Sequence, residues 1–511
     1  MTAPAPVRDA ARPERFRTPG LLLDRLTGRV TMYRLVVLVL LAIALVAVVG
    51  SAVGLVPFPV LGLLASLVVA VVVGAGTNRL FALVRRIRPH TESGIITGLL
   101  AFFLFLPLPT AQALGALALA VAAANLSKYL LVVRGRHLVN PVAIGAVAVL
   151  LTRLSGATWW VGTPLLLPFV VIGGALVLRR AGAWDLALPM LLIAVPGAAI
   201  RLLAAGSPLD AAVWTALASS PYLFLGAFML SEPLTAPPRR RQRILVSALV
   251  GVLLLIPLRI GWVGLTPEVA LVLANLVAFG FGQRRRLRFV LEGREEHPGG
   301  IEELRFTSEA PLRIRPGQYV ELSLPHARQD ARGARRAFSP ASAPGTAVRI
   351  VTRRAERSSS FKRALAAVPI GGAVAGSTVA GDFLPPRDPR TAVLWLASGV
   401  GVTPFLAMAE TEPDRDAVLV WHLRAGDDPA WAAGALRRVR MLVVGPEDVP
   451  LPDGWERLGA RLEREALVAA VPDLRERDGF VAGSPTWVAL GRRVGRSAGM
   501  RRLRSDRFLG Y

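Results

Sequence analysis

Between residues 33 and 284 the chain is a succession of apolar blocks with short polar connections, and at Gln283-Arg284-Arg285-Arg286 that pattern stops. A block of about 20 mostly apolar residues is long enough to cross a bilayer. Without water to bond to, its backbone polar groups must then be satisfied within helices. We read ten candidate spans, at 33–55, 58–76, 93–108, 110–126, 141–153, 163–178, 185–203, 211–231, 244–259 and 267–282. The expected fold begins with an α-helical polytopic membrane domain over 33–284, preceded by a basic tail over 1–32. No cleavable leader is expected, because 1–32 is polar and the first apolar block is long enough to span.

The connections carry the orientation. Those at 79–88 (Arg79, Arg85, Arg86, Arg88), 128–136 (Lys128, Arg134, Arg136), 179–180 and 239–243 are basic. The alternate connections near 56, 109, 157, 207 and 262 are nearly free of Lys and Arg. Lysine and arginine stay on the cytoplasmic side. The reading is therefore a multi-pass cell-membrane protein with its N-terminal tail and everything after 284 in the cytoplasm. Net charge is +25, but the arginines cluster at the ends of apolar segments and no recognition motif accompanies them, which argues against nucleic acid. The chain has no cysteine. That excludes disulfides, cysteine-ligated zinc and a four-cysteine iron–sulfur cluster. Redox chemistry would fall to flavin, haem or quinone.

Polar residues at membrane depth are costly and often functional. Three clusters qualify: Thr91-Glu92-Ser93-Gly94-Ile95-Ile96-Thr97-Gly98, Lys128-Tyr129 with Arg136-His137-Leu138-Val139-Asn140-Pro141, and Ser231-Glu232-Pro233-Leu234-Thr235-Ala236-Pro237. All fall on the expected cytoplasmic side. Together they make residues 30–285 resemble the D subunit of Rnf-type electron-transport complexes and the B subunit of sodium-pumping NADH:quinone oxidoreductase. The chain departs from that pattern at Leu138-Val139, where an aromatic residue is usual before Asn-Pro, and at Glu232, where Asp is usual. The resemblance implies a membrane domain that houses a flavin, FMN or riboflavin, with quinone contact. It also implies a candidate for covalent FMN at Thr158, in Ser155-Gly156-Ala157-Thr158 of an expected external loop. The usual preceding aspartate is missing and Trp159-Trp160 follow, so we expect no covalent flavin.

After 286 the pattern changes to short alternating runs such as Tyr319–Leu324 and Ala347–Thr352, which suggest a small barrel over 288–386. A flavin site needs a cation for pyrophosphate, a flat face for the ring and a hydrogen-bonding group beside it. Arg336, Phe338 and Ser339 supply these in one short strand. Ser358-Ser359-Ser360 reads as the cap of a helix start, where a second phosphate contact fits. From 390 the pattern is β/α. The strand Ala392–Ala397 runs into Ser398-Gly399-Val400-Gly401-Val402-Thr403-Pro404, where glycines let backbone N–H groups approach a pyrophosphate. Strands alternating with helices imply a parallel sheet.

Residues 288–511 resemble the ferredoxin–NADP reductase superfamily in the order and spacing of Pro316-Gly317-Gln318-Tyr319, Arg336-Ala337-Phe338-Ser339, Gly381-Asp382-Phe383, Gly399–Phe405, Gly483-Ser484-Pro485 and Asp506–Tyr511. The resemblance implies an FAD-binding β-barrel at 288–386 and an α/β NAD(P)-binding domain at 390–511. Arg336, Phe338 and Ser339 would hold FAD, with Phe338 and Ser339 at its reacting ring. Ser360 would approach its phosphate, and Gly399, Gly401, Thr403, Pro404 and Gly483 would face NADH or NADPH. Ala482 stands where a cysteine is common, and Phe338 replaces a tyrosine.

The expected function is a membrane-bound flavoprotein oxidoreductase, passing electrons from cytoplasmic NAD(P)H through FAD to a flavin or quinone in the membrane domain. One alternative is a haem-containing reductase of the ferric-reductase or NADPH-oxidase kind, for which the membrane half offers only His90 and His137. Another is an ion-translocating transporter subunit regulated by nucleotide. The choice between NADH and NADPH stays open: Arg424 would suit a 2′-phosphate, while Asp427 and Asp428 argue the other way.

Overall fold

The computed structural model describes residues 30–86, 90–133, 136–282, 287–327, 329–330, 333–354 and 358–508. Most of the basic tail, Arg88, Arg134, the Gln283–Arg286 junction and the terminal Leu509-Gly510-Tyr511 lie outside them.

The apolar blocks fold as helices: α1 Met32–Ala52, α2 Val60–Val84, α3 Thr91–Leu104, α4 Ala111–Leu130, α5 Pro141–Thr152, α6 Leu167–Ala181, α7 Trp184–Ala204, α8 Leu209–Ala218, α9 Arg240–Leu253 and α10 Pro267–Gly280. Among the described residues, five stretches are long and apolar enough to cross a membrane: α1, α2, α4, α7 and the run Leu209–Met229. The expected ten spans are therefore not supported. The helices α3, α5 and α10 are apolar but have only 14, 12 and 14 residues. At 1.5 Å per residue such helices cover about 18–21 Å, against a hydrocarbon core of about 30 Å. What stops them is local. The chain turns extended at Phe105 after α3, and Arg153 is left-handed (φ 58°) after α5.

Small residues let these helices approach closely. A Cβ on Gly94 would lie 2.5 Å from the Gly74 carbonyl oxygen, so α2 and α3 touch backbone to backbone. The last carbonyls of α3 have no partner within the helix. Residues 158–161 satisfy them: Thr158 N–H and Trp159 N–H donate to Leu104 O at 2.7 and 3.0 Å, and the Trp160 indole donates to Phe102 O at 2.6 Å. Ten residues before α9, the run Leu225–Met229 is a π-helical turn; such turns recur at functional sites.

The rest of the described chain forms two sheets. The first contains β1 Leu287–His297, β2 Ile301–Ser308, β3 Tyr319–Ser323, β4 Arg335–Phe338, β5 Ala347–Arg353 and β6 Ala373–Ala380, antiparallel in the order β4-β3-β6-β1-β2-β5. Alternate residues point inward, so Phe289, Leu291, Leu304, Phe306, Val320, Leu322 and Ile350 fill its core. A short helix, α11 Ser360–Ala366, closes one side with Phe361 and Leu365. The second sheet has β7 Val393–Ser398, β8 Ala417–His422, β9 Arg440–Val444, β10 Glu456–Gly459, β11 Asp478–Gly483 and β12 Leu503–Arg507. Its order is β10-β9-β8-β7-β11-β12, with all strands parallel. The helices α12 Thr403–Thr411, α13 Ala430–Leu436, α14 Arg464–Ala470 and α15 Pro485–Ser497 connect its strands. Strands buried on both faces are continuously apolar, as Val393-Leu394-Trp395-Leu396-Ala397 is. The chain thus joins a helical half, with five stretches long and apolar enough to cross a membrane among the described residues, to one antiparallel and one parallel sheet.

Candidate functional site

Strand β4 lifts the sequence-derived flavin residues into one place. Arg336 and Ser339 are buried, and Phe338 pairs with Val320 of β3. The Arg336 guanidinium lies 5.4 Å from the Phe361 ring centre, and the Phe338 ring 6.0 Å from the same ring. Phe361 is therefore a platform for both, which no motif announced. One carboxylate joins the two phosphate candidates. Asp330 Oδ1 lies 3.4 Å from Arg336 Nη2, while Asp330 Oδ2 accepts from the Ser360 N–H at 3.1 Å. The Ser360 hydroxyl in turn accepts from the Asp330 N–H at 2.9 Å. Ser359, not Ser360, caps α11, which has only seven residues. A buried arginine and a backbone N–H converging on one anion form a donor set suited to a phosphate.

At the carboxyl end of the parallel sheet, Gly399 (φ 52°) and Gly483 (φ 142°) are left-handed. A Cβ on Gly401 would lie 2.5 Å from the Ala482 carbonyl oxygen, so the turn after β7 packs directly on the end of β11. Thr403 and Pro404 are buried at the start of α12. The strand β7 is flanked by β8 on one side and β11 on the other, which makes this end a topological switch point, where open α/β sheets bind ligands. Ser398 Oγ and His422 Nδ1 are 3.1 Å apart across β7 and β8. Burial, aided by the Arg424 charge, holds the His422 imidazole below its usual range.

A cavity of about 420 Å³ opens where the barrel, the parallel sheet and α9 meet, lined by Arg240, Tyr319, Asp382, Phe383, Arg504 and Asp506 among others. Burial pushes the Asp506 carboxyl up to about 6. Asp382 also ties the halves together: its Oδ2 accepts the Arg240 N–H at 2.7 Å, and Gly381 N–H reaches Pro238 O at 3.4 Å.

The three polar clusters of the helical half converge. Lys128 Nζ donates to Ser93 O at 2.8 Å and also bonds Thr97 Oγ1. Glu232 accepts from Asn140 Nδ2 at 3.0 Å, lies 2.8 Å from His137 Nδ1 and meets Thr235 Oγ1 at 3.4 Å. Arg136 donates to Ala236 O at 2.5 Å. The Tyr33 and His90 rings lie with their centres 4.4 Å apart, tilted by 38°. This cluster abuts the barrel: a Cβ on Gly333, three residues before Arg336, would lie 4.0 Å from His90 Cδ2. Sequence reasoning gave no role to Tyr33, Asp330 or Asp506; Tyr33 meets His90 and Asp330 meets Ser360 only through the fold.

Thr158 stands apart from all of this. Its side chain is exposed in part, and its hydroxyl donates to Leu104 O at 3.1 Å while its N–H serves the same carbonyl. Among the described residues no group of three or more His, Asp or Glu side chains forms a metal site.

No family model matches the chain, and no curated protein sequence does. Solved structures do align with it. An Amycolatopsis cytochrome P450 reductase is 24% identical over 44% of this chain and 70% of its own, with a TM-score of 0.38. The flavohem-like FAD/NAD-binding domain of a Vibrio cholerae nitric oxide dioxygenase is 17% identical over 43% of this chain and 98% of its own, at 0.37. A ferredoxin NADP+ reductase from Neisseria gonorrhoeae with bound FAD and NADP is 16% identical over 44% and 98%, at 0.35.

Proposed function

We propose that the protein is an NAD(P)H-dependent flavin oxidoreductase of the membrane, with FAD in the barrel and an electron acceptor, flavin or quinone, in the helical half. The carrying observation is the approach of Gly333, three residues before Arg336, to His90 at the start of α3, where a Cβ on Gly333 would lie 4.0 Å from His90 Cδ2. The residues fit the cofactor. Arg336 and the Ser360 N–H would hold its pyrophosphate, Phe338 would face the ring and the Ser339 hydroxyl would bond near it. Gly399, Gly401, Thr403, Pro404 and Gly483 would cradle the nicotinamide dinucleotide, since only glycine admits such close backbone approach. When bound, FAD supplies hydride acceptance and one-electron release, chemistry that belongs to the cofactor. The protein contributes position and charge, and no side chain must act as an acid or base for hydride transfer itself.

The bias of lysine and arginine supports a cytoplasmic reductase half. The haem reading has less behind it: His137 sits in a two-residue ribbon and engages Glu232, and His90 lies at the start of α3 with its ring against that of Tyr33. The test uses the full-length protein purified in detergent. It should carry dissociable flavin, oxidise NADH or NADPH with ferricyanide, and leave no fluorescent flavin on the denatured band. A well-folded preparation with neither flavin nor nucleotide oxidation would sink the proposal; a fluorescent band abolished by Thr158→Ala would instead show covalent FMN.

A further inference from the structure

In an open parallel sheet the strand next to the glycine turn carries the adenosine end of a dinucleotide, and its last residues meet the ribose 2′ position. Here that strand is β8, paired with β7 in parallel register from Val393↔Ala417 to Ser398↔His422. The residues just beyond it are Leu423-Arg424-Ala425-Gly426-Asp427-Asp428. An acidic side chain there would accept from the two ribose hydroxyls of NADH, and a cation would donate to the 2′-phosphate of NADPH.

Both acids are committed elsewhere. Asp427 is buried; its Oδ1 lies 2.7 Å from Arg353 Nη2 on β5, and its Oδ2 accepts the Arg424 N–H at 2.9 Å. It joins the barrel to the sheet. Asp428 Oδ1 accepts the Ala430 N–H at 2.9 Å, at the start of α13. Arg424 is the opposite case. It is exposed, and its guanidinium makes no hydrogen bond or ion pair among the described residues. Glu447 and Asp448, on the loop after β9, are also exposed, and neither pairs with it.

We propose that Arg424 binds the 2′-phosphate and makes NADPH, rather than NADH, the reductant. The proposal rests on the nucleotide reading given above and sharpens it. A guanidinium recognises a phosphate with two parallel N–H donors, which an ammonium cannot copy.

The test compares full-length wild type with Arg424→Ala and Arg424→Lys. Wild type should show kcat/KM for NADPH at least about 10-fold above that for NADH, in line with one charge-assisted phosphate contact. Arg424→Ala should lose about 10- to 100-fold with NADPH, mainly through KM, and leave NADH within twofold. Arg424→Lys should recover only part. Binding is read separately with adenosine 2′,5′-bisphosphate against adenosine 5′-monophosphate. The bisphosphate should bind more tightly to wild type, and Arg424→Ala should remove the difference. Preference for NADH, equal losses for both nucleotides, or no advantage for the bisphosphate would each overturn the proposal. If neither nucleotide is oxidised, the oxidoreductase reading fails, while the binding comparison still decides the role of Arg424.

Discussion

Buried beneath β4, the Arg336 guanidinium is held by Asp330 and the face of Phe361. Replacing it removes a charge-assisted contact of about 1.5–3 kcal/mol. Arg336→Ala should therefore weaken FAD retention roughly 10- to 150-fold, measured as released flavin after gel filtration. A variant that keeps its flavin as wild type does would remove Arg336 from the phosphate site. Asp506 gives a pH test. Its carboxyl is raised to about 6 by burial, above the usual value of about 3.9. The sign follows from linkage: the stabilising proton is fully held below the unfolded value and lost as pH rises through the folded one. Asp506→Asn keeps the neutral form. It should melt above wild type at about pH 8 and converge with it near pH 4, followed by thermal scanning of the reductase signal. Equal melting temperatures at both values would refute the burial argument.

The elements differ in how openly the sequence declared them. The strand Ala392–Ala397 was legible because a parallel strand buried on both faces is apolar throughout, and Val393–Ser398 is the strand found there. The proposed flavin strand drew attention in the sequence because Arg336, Phe338 and Ser339 would serve three different chemical needs. Helix length was not legible. Apolar composition continues past Leu104 while α3 ends there, because the chain turns extended at Phe105 and segment 158–161 takes up the free carbonyls of α3; α5 ends at Thr152, where Arg153 is left-handed. The ion pair of Asp427 was not legible for a related reason: its partner Arg353 lies 74 residues away, and only the fold brings them together. Between the π-turn and α9, the segment Ser231–Arg239 touches both halves. Glu232 binds His137 and Asn140, and Pro238 O meets the Gly381 N–H. Glu232→Gln should slow transfer to a quinone at least about 10-fold, the scale of a lost hydrogen bond to a charged group, with NAD(P)H-to-ferricyanide turnover unchanged. Loss of both activities would mean that the segment is needed for folding alone.

For the whole molecule, the proposed orientation is open to labelling, since the chain has no native thiol. Cysteines at Ser207 and Thr235 should react oppositely with an impermeant maleimide on intact cells, with only position 207 labelled. Labelling of 235 alone would invert the arrangement. The Asp382–Arg240 contact, by contrast, has a consequence for kinetics rather than topology. It fastens two halves that are already one polypeptide, so the proposed donor and acceptor would stand in fixed one-to-one proportion and never search for each other. Their encounter is intramolecular, with an effective concentration set by geometry. Electron delivery per molecule should then stay constant on dilution in the membrane, where a diffusing carrier would fall behind.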